Sequence, residues 1–176
     1  MSTACVIIDV QQKILSVMNA PTQTETRLVQ LIDGLRALDI PMILLEQYPQ
    51  GLGPTAEKVQ AALPGITAIA KTTFSAYQHD TFVEALQAID DLERIIVCGI
   101  EAHICVYQTA RELLEAGYIV EVVADAVDSR TADNKQIGLD RMAQEGALIT
   151  SVEMMLFDLV GHAKHPQFKT ISKLIK

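Results

Sequence analysis

Three side chains have types and positions that could work together in a nucleophilic reaction: Asp9, Lys71 and Cys105. Asp9 directly follows the short apolar run Ala4–Ile8, Lys71 follows another such run, and Cys105 falls in the first turn of a predicted helix. In that turn the helix dipole and the free backbone amides favour a thiolate. A carboxylate could accept the thiol proton and a lysine could stabilise developing negative charge, which is the chemistry of acyl transfer. At such positions each residue type is also common for structural reasons alone: cysteine in the core, aspartate as a cap and lysine at the surface.

Six short apolar runs predict the strands that would bring these side chains together. Because the runs show no polar alternation, they indicate parallel strands covered on both faces by helices. The predicted strands are Ala4–Ile8, Pro41–Leu45, Ile66–Ala70, Arg94–Cys98, Ile119–Ala124 and Ala147–Thr150. Asp9 and Lys71 then lie at the carboxyl ends of strands, which is the edge where open α/β proteins bind ligands.

Between these runs, apolar residues recur with helical spacing. The predicted helices are Gln23–Asp39, a segment starting near Asp80, His103–Ala116, Asp133–Glu145, a segment after Ser151, and Gln167–Ile175. Thr22 with Glu25, and Asp133 with Gln136, predict capping boxes. The longest stretch without such spacing, Glu46–Leu63, is predicted to be a ligand-binding loop because it follows the second strand.

The alternation of strands and helices predicts an α/β fold. We expect a three-layer, Rossmann-like sandwich with a six-stranded, mainly parallel sheet flanked by helices. The length of 176 residues, without a repeat or a long linker, predicts one domain spanning residues 1–176.

Charge and motifs exclude several classes of function. The chain carries 14 Lys and Arg against 22 Asp and Glu, a net charge of −8 at pH 7, so we expect no nucleic-acid partner. No targeting signal opens the sequence and no apolar run could span a membrane, which predicts a cytoplasmic protein without a membrane partner. Neither the dinucleotide-binding nor the P-loop glycine pattern is present.

The three cysteines divide into two kinds. An odd count without a CxxC pair predicts reduced thiols. Cys5 and Cys98 lie in the middle of predicted strands and are interpreted as core residues, whereas Cys105 lies where a strand passes into a helix.

Three segments carry a resemblance to a known family: Val6–Gln11 (VIIDVQ), Lys71–Ala76 (KTTFSA) and Val97–Val106 (VCGIEAHICV). In this order they resemble the isochorismatase-like cysteine hydrolases, which include nicotinamidases and N-carbamoylsarcosine amidohydrolases. The resemblance covers essentially the whole chain. Glu46–Pro49 and His165–Lys169 are most similar to the branch of isochorismatase-domain-containing proteins, whose substrates are poorly defined.

The resemblance implies roles for particular residues. Asp9 would be the base, Lys71 the electrostatic support and Cys105 the nucleophile. The bond between Ile100 and Glu101 would be a cis peptide, and the amides of Glu101 and Cys105 would form an oxyanion hole. The implied activity is hydrolysis of a small amide or related C–N bond through a thioester intermediate.

Further residues are candidates for the substrate pocket, and a metal is not expected. The pocket candidates are Gln11, Gln47, Tyr48, Phe74, Tyr77 and His103. Nicotinamidases hold a metal near the second strand through an Asp and histidines, whereas here that region reads Glu46–Gly51 and no histidine lies between Met1 and Phe74. We therefore expect no metal and no cofactor, and nicotinamide becomes a doubtful substrate.

Two alternative functions and the oligomeric state remain open. The chain could be a binding or scaffold protein with a relic triad; a thiol redox protein is disfavoured because no resolving cysteine lies near Cys105 in sequence. A homo-oligomer is expected from the resemblance. The apolar residues of the C-terminal helix could pack on another subunit or equally on their own domain: Phe168, Ile171, Leu174 and Ile175.

Overall fold

The computed structural model describes residues 2–176 and contains a six-stranded sheet in which every neighbouring pair of strands is parallel. The strands are β1 Ser2–Ile8, β2 Met42–Gln47, β3 Ile69–Lys71, β4 Leu92–Ile100, β5 Ile119–Asp128 and β6 Leu148–Thr150. Their order across the sheet is β3-β2-β1-β4-β5-β6. Each predicted apolar run contributes a strand, so the predicted α/β class with a parallel sheet is confirmed.

Helices cover both faces of this sheet. They are α1 Gln12–Leu15, α2 Pro21–Ala37, α3 Pro49–Leu52, α4 Glu57–Ala62, α5 Asp80–Gln87, α6 Tyr107–Glu115, α7 Ala132–Gln144, α8 Val152–Val160 and α9 Phe168–Ile175. Side chains of α2, α4, α8 and α9 share one core with Cys5 and Ile7 of β1. Those of α5, α6 and α7 share a second core with Val6 and Ile8. No helix among residues 2–176 has the length and apolar character needed to cross a membrane.

The two cysteines assigned to the core lie there. Cys5 on β1 and Cys98 on β4 are fully buried, and their sulfur atoms are 4.0 Å apart. All three cysteines are free thiols. Cys5 and Cys98 therefore serve as small apolar residues of the sheet, as predicted.

Both predicted capping boxes are wrong. Helix α2 begins at Pro21 with no side-chain cap, since proline is already set for the first helical turn. Helix α7 is capped by Thr131, whose hydroxyl accepts a hydrogen bond from the Asn134 amide at 3.2 Å. Thr22 and Asp133 consequently lie inside the first turns of their helices.

The predicted loop Glu46–Leu63 contains α3 and α4 and is tied down by its own polar groups. One carboxylate oxygen of Glu46 accepts hydrogen bonds from the amide and the hydroxyl of Thr55, at 2.8 and 2.7 Å. Strand β3, which follows, is shorter than predicted because only Ile69–Lys71 pairs with β2. The segment after β2 therefore has a defined structure at the carboxyl edge of the sheet.

Strand β5 extends four residues beyond its predicted end because it contains a bulge. Val97 of β4 pairs with Val122, whereas Gly99 pairs with Val127, so two steps along β4 match five along β5. The additional residues of β5 have no partner on β4, and pairing resumes at Val127 and Asp128. The segment that follows Asp128 is thereby brought to the carboxyl edge.

Candidate active site

The carboxyl ends of β1 and β4 form the centre of the site. These neighbouring strands lie where the strand order reverses, which is where open α/β sheets have a crevice for ligands. Asp9 directly follows β1 in a left-handed conformation with φ of 54°, which an aspartate tolerates better than most residues. On β4, Gly99 pairs with Ile8 and has φ of 116°, and a Cβ there would overlap the backbone of Ile8. The close approach of the two strands therefore requires glycine.

Lys71 is buried beside Asp9, and its ammonium lies within hydrogen-bond distance of four acceptors. Its ammonium donates hydrogen bonds to Oδ2 of Asp9 at 2.9 Å and to Oε1 of Gln47 at 2.6 Å. The carbonyl oxygens of Thr73 and Phe74 accept further bonds at 3.1 and 3.0 Å. The lysine is 2% exposed, so these four acceptors replace its hydration and fix its position.

The second carboxylate oxygen of Asp9 has no such partner. Oδ1 is buried and forms no hydrogen bond with the residues that the structure describes. Burial raises the pKa of Asp9 above its ordinary value, and the positive charge of Lys71 opposes that rise. Asp9 is therefore a carboxylate with one oxygen held by a cation and the other available to accept a proton.

Cys105 lies next to this carboxylate in the π-helical turn Ala102–Val106, which leads directly into α6. The residue is 7% exposed. Burial and the negative charge of Asp9 raise the pKa of Cys105 from 9.0 to about 12, although Lys71 acts in the opposite direction. Burial and the charge of Asp9 therefore oppose the thiolate that the helix start was expected to favour. Cys105 rests as a neutral thiol.

A cavity of about 320 Å³ opens beside Cys105, a size at the lower end of the ~300–1,000 Å³ range of small-molecule sites. Its polar lining includes Asp9, Gln47 and Cys105. Its apolar lining consists of Ile14, Val17, Leu52, Phe74, Ile100 and Ile104. A wider groove of about 500 Å³ between α2 and α4 has no cysteine, serine or histidine in its lining, so the smaller cavity is the candidate active site.

Gln11, a pocket candidate, does not line this cavity. Its side-chain nitrogen donates to the carbonyl oxygens of Gln47 and Gly53, both at 2.8 Å, and its side-chain oxygen accepts from the Gln47 amide at 2.7 Å. These bonds join the segment after β1 to the last residue of β2 and to the loop that follows it. Gln11 thus positions Gln47, which does line the cavity.

Three other pocket candidates also lie outside the cavity lining. Tyr48 is 52% exposed, and its ring lies over Gly51. Tyr77 packs against the core beside α5, and Nδ1 of His103 is hydrogen-bonded to the hydroxyl of Ser129 at 2.9 Å. Of the predicted substrate contacts, the cavity lining therefore includes Gln47 and Phe74.

The segment between β4 and Cys105 has the backbone geometry that the family resemblance implied. The peptide bond between Ile100 and Glu101 is cis. The carboxylate of Glu101 accepts hydrogen bonds from the backbone amide of Arg130 at 3.0 Å and from its Nε at 3.1 Å. This ion pair joins the turn after β4 to the segment after β5.

The sequence analysis missed both positively charged cavity residues, Lys13 and Arg130, as well as four of the apolar ones. Lys13 lies in α1, four residues after Asp9, and that spacing was the available signal. Arg130 follows the end of β5 closely only because the bulge extends that strand to Asp128. Within residues 2–176, no group of three His, Cys, Asp or Glu side chains is arranged to hold a metal ion.

Comparison with known proteins identifies the family. The isochorismatase domain matches residues 3–154. The chain belongs to the isochorismatase family. Isochorismatase domain-containing protein 2 of Danio rerio is 39% identical to it over 169 residues, covering 96% of this chain and 84% of the relative.

Two solved structures share the fold. MAR1 ribonuclease from Caenorhabditis elegans has a TM-score of 0.92 and 38% sequence identity, covering 99% of this chain and 89% of the other. YcaC from Escherichia coli, an octameric hydrolase of unknown specificity, also has a TM-score of 0.92, with 24% identity over 99% of this chain and 86% of its own. The six-stranded parallel sheet is therefore an isochorismatase-family hydrolase fold.

Proposed function

We propose that this isochorismatase-family protein is a cysteine-dependent hydrolase that cleaves a small amide or related C–N bond through a thioester. The observation that carries the proposal is the state of Asp9: Lys71 holds one oxygen, the other is buried and has no hydrogen-bond partner among residues 2–176, and the carboxylate is close enough to Cys105 to change its pKa. A buried carboxylate oxygen without a partner lowers stability. Such a cost is expected where the oxygen takes part in a reaction.

In the first half of the proposed reaction, the Cys105 thiol gives its proton to Oδ1 of Asp9 as its sulfur attacks the carbonyl carbon. The negative charge that develops on the carbonyl oxygen is stabilised by the amides of Glu101 and Cys105 near the helix start. The new carboxylic acid of Asp9 then protonates the departing nitrogen. The C–N bond breaks, the amine leaves, and a thioester on Cys105 remains.

In the second half, a water molecule attacks the thioester while Asp9 accepts its proton. The C–S bond breaks, the carboxylic acid product leaves, and the sulfur regains a proton from Asp9. Lys71 favours the ionised form of Asp9, because its charge opposes the effect of burial on that pKa. Every step uses only protein groups and water.

The test is a screen of amides, ureido acids and carbamoyl compounds, read by an acyl adduct on Cys105 in mass spectrometry and by release of the amine. Cys105→Ala should abolish both signals and leave the fold intact. Cys98→Ala is the matched control because that thiol is fully buried outside the cavity. Turnover that survives in Cys105→Ala would refute the mechanism, and a complete absence of adducts and turnover would favour the scaffold function.

Ribonuclease activity is a second candidate, favoured by the 38% identity to the C. elegans protein described as MAR1 ribonuclease. The net charge of −8 opposes it, because an RNA-binding surface needs cations that neutralise phosphates. We expect no RNA cleavage above that of Cys105→Ala. Cleavage that depends on Cys105 and weakens with salt would establish this activity instead.

We also propose that the chain forms a homo-oligomer. Several large apolar side chains are exposed: Val17, Phe74, Ile137, Leu148 and Met154. Octameric YcaC shows that the fold is compatible with such assembly. A light-scattering mass several times the 19.3 kDa of the chain would support the proposal, and a mass of one chain would reject it.

A further inference from the structure

The loop that follows β3 supplies two of the four acceptors that hold Lys71. The carbonyl oxygens of Thr73 and Phe74 accept hydrogen bonds from its ammonium at 3.1 and 3.0 Å. The next residue, Ser75, is 1% exposed, and its carbonyl oxygen accepts a hydrogen bond from the hydroxyl of Thr73 at 2.7 Å. The position of Ser75 therefore affects the position of the Lys71 ammonium.

Ser75 joins this loop to α6. Its hydroxyl donates a hydrogen bond to Oε2 of Glu112 at 2.6 Å, and Oε1 of the same carboxylate accepts one from the side-chain amide of Gln78 at 2.7 Å. The hydroxyl of Thr109, also on α6, accepts a hydrogen bond from the amide of Ala76 at 3.0 Å. Glu112 thus takes part in two of these three bonds, and bonds to an ionised acceptor are the stronger kind.

The helix that contains Glu112 continues directly from the turn of the nucleophile. Cys105 lies in the π-helical turn Ala102–Val106, and α6 begins at the next residue, Tyr107. The hydrogen bond between Ser75 and Glu112 therefore connects the loop that places the lysine with the helix that follows the thiol. Both residues lie outside the cavity lining, so this connection acts behind the site and does not involve contact with a substrate.

We propose that Glu112 is a positioning residue for the reaction. Through Ser75 it holds the acceptors of Lys71 in place relative to α6, and so fixes the ammonium relative to the thiol. The positive charge of Lys71 lowers the pKa of Cys105 and opposes the rise in the pKa of Asp9, so a displaced ammonium would support both groups less well. The expected effect on turnover rests on the proposed function, whereas the effect on the thiol is a property of the resting protein.

The test removes the connection from either side and measures turnover and the alkylation of Cys105 by iodoacetamide. Ser75→Ala removes the donor and Glu112→Met removes the acceptors. Each should lower kcat by about tenfold or more and leave KM within about twofold, because misplaced reacting groups slow the chemistry while the cavity lining is unchanged. Alkylation should become about threefold slower, since a pKa of Cys105 higher by about one unit gives about tenfold less thiolate, partly offset by its greater nucleophilicity.

Two further variants separate the hydrogen bonds from the charge of α6. Glu112→Gln is the conservative variant: it keeps an oxygen that can accept from Ser75, and the amide of Gln78 can turn to match it, so both rates should stay within about twofold of the wild type. Glu115→Met is the matched control, because this more exposed carboxylate lies on the same helix and, like Glu112, close to Arg111, at 3.7 and 3.6 Å. It should leave both rates unchanged.

The outcomes distinguish this inference from the proposed function. Unchanged kcat and alkylation in Ser75→Ala and Glu112→Met would overturn the positioning role and leave the hydrolase standing. An equal loss in Glu115→Met would also overturn it, because the charge of α6 would then be the cause. If the wild type cleaves no amide while alkylation slows in both variants and recovers in Glu112→Gln, the coupling stands and the hydrolase proposal fails. Circular dichroism checks the fold, and if one variant does not fold, the other decides.

Discussion

Replacing Asp9 with asparagine should make Cys105 more acidic and at the same time abolish turnover. The pKa of Cys105 is raised to about 12 by burial and, next in size, by the charge of Asp9. An asparagine side chain would retain the shape and the burial of Asp9 but lack the charge, so the thiol would lose its proton more easily. It could not accept that proton, so the proposed reaction would stop at its first step.

The structure sets the size of the effect. The rise from 9.0 to about 12 corresponds to roughly 4 kcal/mol at about 1.36 kcal/mol for each pKa unit. Burial is the larger cause; a neighbouring charge typically shifts a pKa by ~1–3 units, and we take the lower end of that range for Asp9. A pKa lower by one gives about tenfold more thiolate, and the weaker nucleophile loses about threefold in reactivity. Alkylation should therefore become about threefold faster.

The assay is the rate of Cys105 alkylation by iodoacetamide between pH 7 and 9, read on the peptide, beside turnover of a substrate found in the screen. Asp90→Asn is the matched control, since it removes the same charge from an exposed residue before β4, at the opposite edge of the sheet. Its alkylation rate should equal that of the wild type. Lys71→Met should change the rate in the opposite direction, because Lys71 lowers the pKa of Cys105.

Slower or unchanged alkylation in the Asp9→Asn variant would refute this reasoning. It would mean that the carboxylate already shares the thiol proton productively at rest, or that it does not act on the sulfur. Retained turnover would separately refute the role of Asp9 as the base. The two measurements therefore test the electrostatics and the chemistry independently.

Three further predictions concern the geometry around the site. Gly99→Ala should lower the free energy of unfolding by about 4 kcal/mol or prevent folding, as measured by urea denaturation, because a Cβ at φ of 116° overlaps the backbone of Ile8. Gln11→Met should lower it by about 2–4 kcal/mol because the three hydrogen bonds of the buried Gln11 side chain are lost. The acid limb of kcat/KM should lie above the ordinary Asp value of 3.8, since burial raises the pKa of Asp9 and only its ionised form accepts a proton.

The sequence was sufficient for the fold class because parallel strands covered on both faces need continuous apolar runs, and these are local patterns. The ends of elements were less predictable. The capping pair at Thr22 could not reveal that Pro21 starts the helix without a side-chain cap. The end of β5 depends on a bulge, which is a property of its pairing with β4 and leaves no clear trace in the run Ile119–Ala124.

The same distinction applies to the site. Asp9 and Lys71 could be placed at one edge because each directly follows an apolar run, and the structure brings them into contact. Whether the pKa of Cys105 is raised or lowered could not be predicted, since the direction depends on burial and on the charge of Asp9, which follows a different strand. Arg130 was not identified as a site residue because the predicted β5 ended at Ala124, whereas the strand continues to Asp128. Interactions between distant segments, rather than residue types, were what the sequence did not show.

The raised pKa of Cys105 also explains how one carboxylate can serve both halves of the proposed reaction. A thiolate at rest would leave Asp9 with no proton to accept from sulfur. With a neutral thiol, Asp9 keeps its ion pair with Lys71, and the proton moves only as the sulfur bonds to the carbonyl carbon and the negative charge passes to the carbonyl oxygen. Asp9 then holds that proton where the leaving nitrogen needs it. Burial of Cys105 is therefore consistent with a nucleophile that becomes reactive when its substrate fills the cavity.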